Sequence, residues 1–315
     1  MHLMPLVLLI FLFFFIRPLS AEEITSEHDP MYAGTLLAFF PQNAAPGRLS
    51  VEPYIFATKK YGFYSDHWTS PKEKHIEQLT LLMSLETGIT DHIDFTLDVS
   101  GAYSTSEKHH SWLYGDTTAF LGFQILNDQR KTAIPDLRIL LGETFPTGKY
   151  ENLNPDKNGS DILGNGTYAT TFLLVLAKTI YWQRRHPLNF NLNLFYILST
   201  PTHVRGFNAY GGAFDTRGKV KPGDQFITNF AIQYSLDRNW VIGTDLHYFH
   251  QNKSPFSSKE GTPAHSPSSE QFSLAPCLEY SWSEDLSLSF GSWFTVTGRN
   301  APRFASALGT IFYYF

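Results

Sequence analysis

From Gly47 onward the chain breaks into strand-length segments whose apolar residues recur at every second position, and a period of two confines such a chain to β structure. In the segment 93–103 one phase reads Ile93, Phe95, Leu97, Val99, Gly101, Tyr103, and the other Asp94, Thr96, Asp98, Ser100, Ala102. Leu188, Phe190, Leu192, Leu194 and Tyr196 alternate in the same way with Asn189, Asn191 and Asn193. The scheme predicts twelve strands, at 48–60, 75–89, 93–104, 115–127, 135–146, 166–181, 187–199, 224–236, 239–250, 269–282, 285–297 and 303–315. Their connections alternate between short ones, as at Asp237 and Arg238, and long ones rich in Gly, Pro, Ser, Asn and charge, as at 147–164 and 201–221. Only the last, near Asn300, breaks the rhythm. Regular sorting of this kind suits an up-and-down barrel with periplasmic turns and extracellular loops, with both termini in the periplasm.

Strands with one apolar face need a second sheet or a lipid to cover that face. The opposite phase carries Asp94, Asp98, Asp136, Arg138, Asn229, Asp245, His247 and Glu279, and these are costly in hydrocarbon. They are therefore expected to line the lumen of a closed sheet, which also leaves no unpaired edge in the lipid. The same eight residues are the transport candidates, as charge ladders that keep the lumen open or select what passes. A lumen of twelve strands is intermediate in width and suits a narrow pore or one small ligand.

Aromatic residues fall where a barrel needs girdles. Phe226 and Tyr234, Trp240 and Tyr248, and Phe272 with Tyr280 and Trp282 bracket three successive strands, each set in one phase. A gap of eight residues on a strand tilted ~45° covers roughly 19 Å, a little less than the ~25 Å apolar band. Aromatic residues make up 16% of the chain and charged ones 17%, as such two-faced strands require. In the last strand Ala307, Gly309, Ile311, Tyr313 and Phe315 share one phase. That ending resembles the carboxy-terminal signature by which bacterial barrels are recognised, so Ile311, Tyr313 and Phe315 are expected to act as the signal to the barrel-assembly machinery.

Residues 1–21 read as a signal peptide, with an apolar run from Leu6 to Ile16 closed by Arg17, Pro18 and the small pair Ser20, Ala21. Residues 22–46 form a periplasmic leader or a lumen plug, and 47–315 the barrel. Beyond the leader no stretch approaches the ~20 apolar residues of a spanning helix. The chain has 24 basic and 29 acidic residues, and losing Arg17 makes it more acidic still, so nucleic acid is no partner. A single cysteine, Cys277, forbids an internal disulfide, and no Cys and His spacing fits zinc. Neither metal nor cofactor is expected. Asn154, Asp156, Asn158 and Gly159 open like a calcium loop but lack the closing Glu, and all are ordinary turn formers. The pair His109, His110 beside Trp112 reads as a solvated loop tip.

Two stretches resemble the outer-membrane barrel family named for the MetA pathway of phenol degradation. They are Pro46-Gly47-Arg48-Leu49-Ser50-Val51-Glu52-Pro53-Tyr54 and Glu143-Thr144-Phe145-Pro146-Thr147-Gly148-Lys149-Tyr150. The resemblance implies an outer-membrane channel or transporter of a Gram-negative bacterium, for small hydrophobic or aromatic compounds, with outer-membrane lipid around it. Two alternatives stand beside it. One is a lipid-modifying barrel enzyme with His250 as base, for which no matching Ser is evident. The other is a structural or adhesive surface barrel acting through its long loops.

Overall fold

The computed structural model describes residues 30–70, 72–129, 132–183, 186–264 and 266–315, so the expected signal peptide lies outside the described residues. The strands are β1 (Leu49–Tyr64), β2 (Lys72–Thr90), β3 (Ile93–Ser106), β4 (His109–Tyr114), β5 (Thr117–Leu126), β6 (Asp136–Phe145), β7 (Ala169–Ile180), β8 (Leu188–Ser199), β9 (Thr202–Arg205), β10 (Arg217–Val220), β11 (Gln225–Ser235), β12 (Trp240–Gln251), β13 (Phe256–Glu260), β14 (Ser269–Ser281), β15 (Leu286–Arg299) and β16 (Ala301–Tyr314). Leaving aside β4, β9, β10 and β13, each strand pairs antiparallel with the next, and β16 pairs with β1 from Ser50↔Tyr314 to Tyr64↔Ala301. The result is a closed barrel of twelve strands. The twelve strands expected from alternation match the observed ones to within four residues at every end.

The period of two decides which way each side chain points. Leu81, Leu121, Leu141, Phe172, Ile242, Leu246 and Ile311 are exposed on the outer surface, while Asp94, Thr96, Arg138, Asn193, Asn229, Asp245 and Glu279 are buried in the lumen. The girdle residues meet across strands. Trp240 and Tyr280 lie 4.6 Å apart at the end bearing the short turns, and Tyr248 and Phe272 lie 4.6 Å apart toward the other end. Leu141, near the middle of β6 between Leu121 and Phe172 on the neighbouring strands, faces the lipid midplane. Replacing it with Arg is expected to cost roughly 2–4 kcal/mol of barrel stability. The urea midpoint of the barrel refolded in vesicles measures this.

The long connections are more structured than their composition suggested. β4 turns back on the outer half of β3, Gly101↔Tyr114 to Ser106↔His109, while β5 takes the inner half, Ile93↔Phe123 to Asp98↔Thr118. β9, β10 and β13 form a separate three-stranded sheet beyond the barrel rim. Val204, Tyr210, Val220 and Ala264 make a small core there, with Tyr150 and Phe256 against it. Tyr210 donates its hydroxyl to the Asn165 carbonyl at 2.7 Å, and burial raises its pKa above the ordinary tyrosine range. The loops thus condense into a cap with its own hydrophobic centre. In the 147–164 loop Asn154 accepts from the Asp156 amide to cap a turn at Pro155–Lys157, and Asn158 takes a left-handed conformation, φ 51°. Both act as turn formers. His109 and His110 belong to β4 rather than to a loop tip, and the His110 ring lies 6.3 Å from Tyr103.

Candidate functional site

Residues 31–45 lie inside the lumen at its periplasmic end, as a bent, extended segment that crosses from one wall to the other. An extended peptide in a closed space must find partners for its N–H and C=O groups. The inward phase of the barrel supplies them. The Ala33 amide donates to Glu279 Oε2 at 3.1 Å. Thr35 Oγ1 donates to Asp245 Oδ1 at 2.7 Å and the Leu37 amide to Asp245 Oδ2 at 3.3 Å. The Phe39 amide donates to Asn193 Oδ1 at 2.7 Å, and Asn191 returns a bond to the Phe39 carbonyl at 2.8 Å. Arg138 Nη1 donates to the carbonyls of Phe40 and Gln42, at 3.0 and 3.2 Å. The Asn43 amide donates to Gln124 Oε1 at 3.1 Å, and an isolated bridge from Pro46 to Gly88 leads into β1.

Apolar contacts follow the same path. The Phe39 ring sits edge-on to Phe120 at 5.3 Å and to Phe195 at 5.8 Å, over the cluster of Phe120, Leu140, Leu173 and Val175. Leu36 is buried with Cys277 and Leu308. Absent side chains complete the seat. A Cβ at Gly243 would stand 3.0 Å from Thr35 Cγ2, and one at Gly88 would stand 2.3 Å from the Ala44 carbonyl oxygen.

The expected lumen candidates differ in how they meet the segment. Asp245, Glu279 and Arg138 hold the segment directly. Asn229 does so through Asp245, to which it donates at 2.8 Å, and Asp94 through Arg138. Arg138 Nη2 lies 2.6 Å from both Glu86 Oε1 and Asp94 Oδ1, in a buried triad. Asp136 Oδ1 accepts from the Asp128 amide at 2.9 Å, with Gln42 at the 3.5 Å limit. Among the described residues Asp98 and His247 make no hydrogen bond to the segment, and each keeps a buried polar atom, Oδ1 and Nδ1, without a partner.

Much of the ladder of charges expected to hold an open lumen thus engages a peptide, and parts of the inner wall are apolar where Leu36 and Phe39 pack. Gln124, Asn191 and Asn193 bind the segment as closely as any charged residue does. For the two asparagines the signal was present in the run of alternating Asn189, Asn191 and Asn193, whose amides can serve both the N–H and the C=O groups of an extended chain.

Comparison with known proteins adds three findings. A family model described as "Putative MetA-pathway of phenol degradation" matches residues 85–308. No curated protein matches the sequence. Among solved structures, the COG4313 outer membrane channel from Pseudomonas putida F1 superposes with a TM-score of 0.66 at 12% identity, covering 87% of this chain and 97% of that one. That likeness shows the fold. The β domain of the Bordetella autotransporter BrkA follows at 0.45 and 8% identity, over 85% of this chain and 99% of that one, too distant to argue from.

Proposed function

The chain belongs to the family described as a MetA pathway of phenol degradation, and from that premise we propose that it is an outer-membrane channel for small hydrophobic or aromatic compounds. The observation that carries this reading is the lumen itself. A closed twelve-stranded wall encloses a passage whose periplasmic half is filled by residues 31–45 and whose outer half keeps apolar and aromatic side chains facing inward, among them Phe56, Trp293 and Phe304. A purely structural barrel has no need of a segment seated by so many specific bonds. The solved channel of the same fold is consistent with transport.

Asp245, Glu279 and Arg138 act in this reading by seating the segment, and Asp98 and His247 by offering unpartnered polar atoms to a passing solute. The outward Ile311, Tyr313 and Phe315 at the β1–β16 seam support recognition by the barrel-assembly machinery. The Phe315 amide donates to the Leu49 carbonyl there, at 2.8 Å. Hydrolytic chemistry finds less support. His250 faces outward, its Nδ1 3.6 Å from Glu270 and its Nε2 3.3 Å from Asn252, and neither partner is the Ser that such a hydrolase pairs with its base.

Reconstitution of the full chain into liposomes tests the proposal. Toluene or phenol supplied outside is expected to enter barrel-containing vesicles faster than empty ones. Equal entry, together with no conductance in planar bilayers, would favour the surface-barrel alternative.

A further inference from the structure

A cavity of about 380 Å3 opens in the lumen between β1, β2, β3, β15 and β16, on the extracellular side of the seated segment. Its volume falls in the ~300–1,000 Å3 range of small-molecule sites. Phe56, Leu82, Trp293 and Phe304 make its apolar wall, and Lys60 is its one cation among the described residues. The strand register brings these groups together. Lys60 stands directly opposite Phe304, and Trp293 opposite Ser306, which is in turn opposite Thr58. Trp293 is fixed edge-on to Phe304 at 4.8 Å, and its indole N–H donates to Ser273 Oγ at 2.9 Å.

Lys60 is half-buried, and among the described residues it makes no hydrogen bond or ion pair. The adjacent Lys59, which points outward, pairs with Glu77 at 3.0 Å, and Lys178 pairs with Asp128 in the turn after β5. A partly desolvated ammonium without a counter-charge, in one cavity with the rings of Phe56, Trp293 and Phe304, is suited to a ligand that brings both an anion and a ring. The wall below carries the buried Asp245 and Glu279, so an anionic group is favoured at the Lys60 level and disfavoured beside them. Leu37 of the seated segment packs against the same buried cluster as Phe56 and Trp293.

We propose that this cavity binds a small aromatic anion, an aromatic carboxylate or phenolate, with its oxygen on Lys60 and its ring between Trp293, Phe304 and Phe56. The inference rests on the channel reading and narrows its substrate class. Binding to the full chain purified in detergent tests it, by titration calorimetry with benzoate, toluene as the uncharged ring and acetate as the ringless anion. Heat-modifiable migration confirms that each variant is folded. Benzoate is expected to bind and acetate not to compete. Lys60→Met should weaken benzoate roughly tenfold or more, as loss of a charged hydrogen bond implies, and leave toluene unchanged. Lys60→Arg should retain benzoate, and Trp293→Leu should weaken both ring ligands. Lys60→Gln substitutes if the Met variant misfolds. No benzoate binding to the folded wild type, equal competition by acetate, or an unaltered affinity in a folded Lys60 variant overturns the site. Toluene flux without benzoate binding would leave the channel standing and remove the anion site. Benzoate binding in a barrel that passes nothing would do the reverse.

Discussion

Deletion of residues 31–43 is expected to raise the single-channel conductance of the reconstituted barrel several-fold. The segment occupies the periplasmic half of a lumen of intermediate width, and its backbone spans from Glu279 on β14 to Gln124 on β5, nearly across the barrel. Removing it exchanges peptide for water. The wall should survive, because every strand is held by its own ladder of backbone bonds and the chain closes through β1 and β16 without help from the segment. Asp245 and Glu279 lose N–H donors but gain water, so their desolvation is relieved rather than exposed. Planar-bilayer recordings of the two proteins give the comparison directly. Equal conductance would mean that solute and ions take a route beside the segment. Leu36→Asp offers a milder version, since a charge within the apolar cluster of Cys277 and Leu308 should unseat the segment while keeping its length.

Arg138→Met should be the most destabilising single change in the lumen. The guanidinium serves four acceptors at once, namely Glu86, Asp94 and the carbonyls of Phe40 and Gln42. Asp94 is fully buried. Removing one partner of a buried ion pair while leaving the other typically costs on the order of 3–5 kcal/mol, and entry of lumen water sets that figure as an upper bound here. Lysine should rescue poorly, because a single ammonium lacks the planar fork that spans two carboxylates and two carbonyls. Adding Asp94→Asn should recover part of the loss, since the two residues are coupled and the double variant no longer buries a lone charge. The temperature at which the compact gel band converts to the unfolded one reads all four proteins. A Met variant as stable as the parent would show that the triad contributes nothing to the barrel.

Much of this protein was readable because lipid imposes a simple code. A residue such as Leu141 must be apolar and its neighbour Leu140 need not be, so the alternation that marks a strand also tells its outer face from its inner one. The code weakens wherever lipid is absent. β9, β10 and β13 are only four or five residues long, too short to show a period, and they pair across two different connections. Their core of Val204, Tyr210 and Val220 is drawn from segments dominated by Gly, Pro and charge. The lumen candidates were legible as a set, because charge in a strand marks the inward phase. Their separate tasks were not. Nothing in the sequence distinguishes Asp245, which receives Thr35 and Leu37, from Asp98, which receives neither.

The amino-acid order by itself determined the number of barrel strands, their faces and the positions of the girdles, since these depend on local periodicity acting against a uniform solvent. Only the tertiary structure decided where residues 31–45 go and which carboxylates meet them. Thr35 and Asp245 are 210 residues apart, and Ala33 and Glu279 are 246 apart. Closure of the barrel is what brings them within hydrogen-bond reach, and no periodicity along the chain encodes the stagger at which the last strand meets the first.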